Sequence, residues 1–237
     1  MQWCRRGPLP PSERTFKGTL SRASRSVTTA RVVPGLPLQT EAFVLLKRPP
    51  ADSFQSLTVF SAEHGSLLAL QRVSKKTSTE TVMLDLFDEV TLSLESRNQG
   101  QTWFVKESRI ITRQADIGRS YETLRLASSL ASLVARNPVS EESRQDVAML
   151  LRQAFAAFAA GARPDLVWFK SLYRFARDEG YPLKEHWFPT LPAADRAAVA
   201  SLLNRPLAEQ DGTVEAVARL TERLANYLRG HTEIVVE

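Results

Sequence analysis

A chain of 237 residues with 43% apolar and 24% charged side chains has the composition of an ordinary soluble globular protein, long enough for one or two packed cores. No run reaches the ~18 apolar residues that a membrane-spanning helix needs. A single cysteine, Cys4, excludes an internal disulfide and any cysteine-cluster metal site. The net charge of +5 is unevenly placed: residues 1–39 hold seven basic side chains against Glu13 alone, so the rest of the chain sums to −1. Any surface that binds a polyanion on the folded part must therefore be a local patch.

Residues 1–39 are rich in Ser, Thr, Pro, Gly and Arg without apolar periodicity, and read as a disordered basic extension. Trp3, Cys4 and Phe16 in it are expected to be exposed or loosely packed. The plain reading is an extension, or a start codon placed too early; a phosphate-contacting arm and then an organellar targeting peptide also fit that composition. No secretory signal peptide is legible, so a cytoplasmic location is expected and no membrane contact.

From Thr40 the pattern becomes that of strands. Ala42–Leu46, Ser56–Ser61 and Ser66–Val73 are apolar runs divided by turns. Pro49-Pro50 ends the first, Asp52 and Ser53 supply turn chemistry before the second, and Gly65 stands where a positive φ is needed. Val90–Glu95 alternates apolar and polar side chains, the mark of a half-buried strand. Asn98-Gln99-Gly100 predicts a hairpin turn into Thr102–Val105, and Arg109–Ile111 closes the region. Five short strands in about 70 residues predict a small closed barrel over 40–112.

Beyond Gly118 the period is helical. Tyr121–Arg136 sets Leu124, Ala127, Leu130, Ala131 and Val134 on one stripe and stops at Asn137-Pro138. Ser140 is placed to cap a second helix ending at Gly161, and a third runs from Pro164 to Gly180. A fourth follows Pro192 and stops before Pro206. Thr213 caps the last, which Gly230 terminates. Residues 113–237 thus predict an all-helical domain, and the whole an α+β chain of two domains.

Catalytic motifs are missing from this pattern. His64, His186 and His231 have no zinc-site spacing, and no phosphate loop or nucleophile elbow is present. Asp85, Asp88 and Glu89 read as a solvated turn. Two basic clusters stand out instead. Arg72, Lys75 and Lys76 follow a strand end, as a loop at a barrel mouth would, with Lys47 and Arg48 near the same rim; cations there contact phosphates. On the third helix Lys170, Arg174 and Arg177 fall at i, i+4 and i+7, beside the apolar face of Phe169, Leu172, Tyr173 and Ala176. Such a face is either plain core or a groove for an acidic, apolar-ended peptide, which Trp168 and Trp187 would line or simply underlie.

The order EAFVLLKRP, SLTVFSAEHGSLLALQRVSKK, LFDEVTLSLE, then FKSLYRFARDEGYPL and LPAADRAAVASLLNRPL, resembles the bacterial RecO recombination and DNA-repair proteins over residues 41–230. The resemblance implies an oligonucleotide-binding (OB-fold) barrel followed by a helical domain. It implies a non-enzymatic mediator, cytoplasmic and associated with the nucleoid, that binds single- and double-stranded DNA and anneals strands. With RecR it would help load RecA onto strands coated by single-strand-binding protein, whose acidic C-terminal tail docks on the helical domain. Carried over, Arg72, Lys75 and Lys76 would contact DNA, while Lys170, Tyr173, Arg174 and Arg177 would hold the tail. The family's four-cysteine zinc module is replaced here by the short loop Gly180–Leu191, so no metal and no cofactor are expected. Val73-Ser74 stands where the family tends to have Gly-Ala. A protein-interaction scaffold with a merely structural barrel, or an enzyme with a dispersed site, are the other readings of the same residues.

Overall fold

A computed structural model describes residues 36–51, 53–73, 82–96 and 98–236. Several sequence expectations fall outside these residues: the N-terminal extension up to residue 35, Asp52, Ser74, Lys75 and Lys76.

Five strands form a closed barrel: β1 (Leu36–Lys47), β2 (Phe54–Ser61), β3 (Gly65–Arg72), β4 (Glu89–Ser96) and β5 (Trp103–Thr112). Their order around the barrel is β1-β2-β3-β5-β4. All neighbours run antiparallel except β3 and β5, which are parallel at Ala69–Trp103 and Leu70–Phe104. Gly65 takes φ +69 at the β2–β3 turn, as the sequence predicts.

The uninterrupted apolar run Ala42–Leu45 is explained by burial on both faces of β1. Ala42 and Val44 point into the barrel with Leu57, Val59, Ala69, Val90, Leu92, Leu94 and Trp103. Phe43 and Leu45 point outward, with Phe60 and Phe87, into the core of the helical part. Strand β4, by contrast, buries only alternate residues inside and leaves Thr91, Ser93 and Glu95 half-buried.

Among the described residues six α-helices follow: α1 (Tyr121–Arg136), α2 (Arg144–Ala159), α3 (Pro164–Asp178), α4 (Leu183–His186), α5 (Ala193–Asn204) and α6 (Val214–His231). Ser120 and Thr213 cap α1 and α6 through the amides of Thr123 and Ala216. Gly161 and Gly180 take positive φ after α2 and α3. The central helix α3 buries Leu166, Phe169, Leu172, Phe175 and Ala176 against α1, α2 and α6. Trp168 and Trp187 are both buried, 8% and 2% exposed, so they fill core. Helices α1 and α2 lie against the barrel, where the Phe155 ring meets Phe43 and Phe87 at 6.3 and 5.0 Å. Barrel and helices thereby belong to one compact unit, Pro34–Glu237.

The structure departs from the sequence reading in several places: β2 starts at Phe54, not Ser56; the loop Gly180–Leu191 holds α4; Leu124 is exposed, off the buried stripe of α1; and Gly230 lies inside α6, which runs on to His231. Strand β1 begins at Leu36, six residues before Ala42, because β4 supplies partners as far as Leu36–Ser96. Strand β5 is continuous through Lys106–Ser108, whose polarity reflects an outward, half-exposed course. Ser140 does not cap α2: its hydroxyl bonds Ser143 Oγ at 2.7 Å beside the 3-10 turn Glu141–Ser143, and the α-helix starts at Arg144. Nor are Asp88 and Glu89 in a solvated turn. Asp88 is 1% exposed and accepts from Arg113 Nε and Nη2 at 3.1 and 2.8 Å. Glu89 is 6% exposed and accepts from Arg152 on α2.

The segment leading into β4 contains a bulge. Phe87 N–H donates to Val44 O and Val44 N–H donates to Asp88 O, both at 2.9 Å, so two residues face one. Phe87 sits at φ +67, the left-handed conformation that glycine usually supplies at such a position.

Candidate functional site

The topology gathers an aromatic and basic face on the outside of β2, β3 and β5. Leu57, Ala69 and Trp103 point inward, so Phe54, Arg72 and Phe104 point outward by alternation. Phe54 pairs directly with Arg72 across β2 and β3, and Leu70 pairs with Phe104 across the parallel junction. The Phe54 and Phe104 rings meet edge-on at 5.7 Å across β3. Phe54 and Leu68 remain 36% and 41% exposed, a cost in apolar surface that a stacking partner would offset. Arg48 is exposed beside this face, its amide donating to Ser56 O at 3.0 Å. Among the described residues Arg48 and Arg72 make no ion pair.

The predicted basic rim is only partly assembled. Lys47 does not join Arg48: its Nζ reaches Asp85 Oδ1 at 3.1 Å. Burial raises the Asp85 carboxyl, but the Leu86 amide and Lys47 outweigh it and hold that carboxyl below the ordinary aspartate value. Lys106 on β5 is likewise paired, with Glu95 at 2.5 Å. Lys75 and Lys76 lie outside the described residues. The chain leaves them from Val73, whose amide donates to Ser53 O at 2.8 Å, and re-enters at Val82, whose carbonyl accepts from the buried Gln71 at 2.7 Å. Both stems are thus fixed at the end of the barrel that carries Phe54 and Arg72.

Phe54 and Phe104 are the residues that sequence reasoning missed. Starting β2 at Ser56 left Phe54 in a loop. Extending the alternation of Leu57 and Val59 back by two residues would have set Phe54 on the outer face.

The second basic cluster lies in a groove of about 600 Å³ between α2, α3, α4 and α5. Lys170, Tyr173, Arg174 and Arg177 all line it, and Lys184 joins them from α4. Leu150, Ala154, Val167 and Leu203 give it apolar walls. Arg174 and Arg177 share Asp178, at 3.3 and 2.6 Å, and Arg174 also donates to Gln153 Oε1 at 2.7 Å. Lys170 has a carbonyl partner only, Arg205 O at 2.5 Å, and burial pulls its ammonium below the ordinary lysine value. Burial raises the Tyr173 phenol, which therefore stays neutral. Four cations against Glu185 in the lining and Asp178 behind it leave a surplus of two positive charges. The groove suits an anionic chain with an apolar end.

No protein-family model and no curated protein matches the chain.

Proposed function

We propose that this chain is a RecO-type DNA-repair mediator, without catalytic activity of its own, whose barrel is an OB-fold. The observation that carries the reading is the outer face on which Phe54, Phe104 and Arg72 meet. Aromatic rings beside cations are what a single strand needs, bases stacking on the rings while phosphates meet the charges. The strand order, with its one parallel pair, supports the OB assignment. The groove on α3 supports the second half of the activity, capture of the acidic C-terminal tail of single-strand-binding protein. Together the two surfaces would let the protein sit on coated DNA, anneal strands and, with RecR, assist RecA loading during repair at the nucleoid.

Fluorescence anisotropy of a labelled single-stranded oligonucleotide tests the reading. The full chain should bind with an affinity that falls steeply as salt rises, because released counterions drive phosphate contact. The double variant Phe54→Ala/Phe104→Ala should lose most of that affinity. Equal binding by this variant would refute the barrel face as the DNA site.

A second reading, a peptide-binding scaffold with a structural barrel, is favoured by the pairing of Lys47 and Lys106 with Asp85 and Glu95. It predicts binding of the acidic tail peptide without any DNA affinity.

A further inference from the structure

A slot of about 380 Å³ separates β1 from α2 on a side of the barrel remote from neither core but used by neither surface above. Five consecutive residues of β1, from Gln39 to Phe43, line it. Thr91 and Glu89, the β4 partners of Glu41 and Phe43, line it too, so the slot lies over the outer face of β1 and reaches that strand's edge beside Ser61, Ala62 and Glu63.

The hydrogen bonding shows which groups that edge presents. Val44 spends its N–H and C=O on Asp88 and Phe87, toward β4. Alternation then turns Ala42 and Thr40 to β4 as well, and turns Phe43, Glu41 and Gln39 the other way. Phe43 meets Phe60 of β2 there, and β2 ends at Ser61. Among the described residues, Gln39 and Glu41 have no strand partner on that side. Pro37, the next residue facing it, has no N–H to leave unpaired, as befits an open edge. The Glu41 carbonyl accepts only the neighbouring Thr40 hydroxyl, at 3.2 Å.

Across the slot stand Gln145, Ala148 and Arg152 of α2, with the small Ala148 leaving width for a chain. Three carboxylates line the slot, Glu41, Glu63 and Glu89, against Arg152 alone, and that guanidinium is already held by Glu89. The charge is therefore negative by two, opposite in sign to the groove on α3.

We propose that the open edge of β1 at Gln39–Glu41, facing α2 across this slot, takes an extended basic polypeptide segment of a partner protein as an added strand. Main-chain bonds to Gln39 and Glu41 supply the affinity, and lysine or arginine side chains beside Glu41 and Glu63 supply the selectivity. The proposal stands apart from DNA binding, because it uses a different edge and the opposite charge.

The test is anisotropy of a labelled short peptide alternating lysine with threonine and valine, titrated with the full chain. Saturable binding is expected, weakened at least about tenfold when alternate peptide amides are N-methylated, which keeps charge but removes strand pairing. An unlabelled glutamate counterpart, an acidic peptide of the kind the α3 groove suits, should not displace the lysine peptide. Gln39→Pro, which deletes an N–H with no partner on that side among the described residues, should weaken binding to a similar degree while leaving the thermal midpoint unchanged. Equal affinity for the methylated peptide, undiminished binding by folded Gln39→Pro, or failure of the lysine peptide to bind would each overturn the proposal. Should Gln39→Pro not fold, the methylated peptide on the unaltered chain decides alone.

Discussion

Arg152 and Glu89 clasp the helical part to the barrel: the guanidinium donates to Glu89 Oε1 while its carbon lies 5.7 Å over the Phe43 ring. Hydrogen bonding to Glu89 outweighs burial and raises the arginine above its ordinary value, so the guanidinium stays charged. Removing the guanidinium strands a carboxylate that is 6% exposed. Arg152→Ala should destabilise the protein by about 2–3 kcal/mol, read as a lower urea midpoint. Glu89→Gln combined with Arg152→Met, which removes both charges, should recover much of that loss.

Phe87 sets core packing against backbone strain. Its ring is buried among Phe155 and its neighbours, yet its φ of +67 disfavours any residue with a Cβ. Phe87→Ala loses the ring and keeps the strain, for about 3–5 kcal/mol in total. Phe87→Gly loses the same ring but relieves roughly 1 kcal/mol of strain. The glycine variant should therefore be the more stable of the two, reversing the usual order of Gly and Ala in regular structure. Thermal melts of both variants decide it.

These two sites mark where the sequence was readable and where it was not. Strands β2 to β4 were legible because one face of each is dry and the residues alternate. The start of β1 was not, since Leu36-Pro37-Leu38-Gln39 pairs on one side only, carries a proline and leaves Leu36 exposed. Asp88 and Glu89 were misread as solvated because their partners, Arg113 and Arg152, stand 25 and 63 residues away. The stripe of Lys170, Arg174 and Arg177 was legible from helical spacing alone. The walls facing it come from α2 and α5, which no local pattern could bring there. Phe54 and Phe104 are brought together by the parallel β3–β5 junction, a pairing that leaves no mark in either strand.

On the barrel face the aromatic and basic residues should fail in different ways. Phe54→Ala should cost about 1–3 kcal/mol of single-strand affinity, largely independent of salt. Arg72→Ala should weaken binding alike on every sequence and reduce the salt slope by about one counterion. Lys47→Ala should change DNA affinity little, since its ammonium is spent on Asp85. Anisotropy titrations at several salt concentrations separate the three outcomes, and a large loss at Lys47 would count against the pairing with Asp85 in solution.

In the α3 groove, Lys170 differs from its arginine neighbours because its charge can be lost. An amine whose pKa is lowered by burial releases its proton at a lower pH than a solvated lysine does. An acidic tail peptide should thus bind fully near neutrality and weaken as pH rises toward the ordinary lysine range. Tyr173, raised by burial, does not begin to ionise early in that window. For stability the sign is opposite: the folded state prefers the neutral amine, so folding gains slightly as pH climbs through the lowered value. Lys170→Arg should keep tail binding but flatten its pH dependence, whereas Lys170→Met should weaken binding at every pH. Calorimetric titrations of the peptide at a series of pH values would reveal either pattern, and an unchanged slope in Lys170→Arg would remove Lys170 from the docking site.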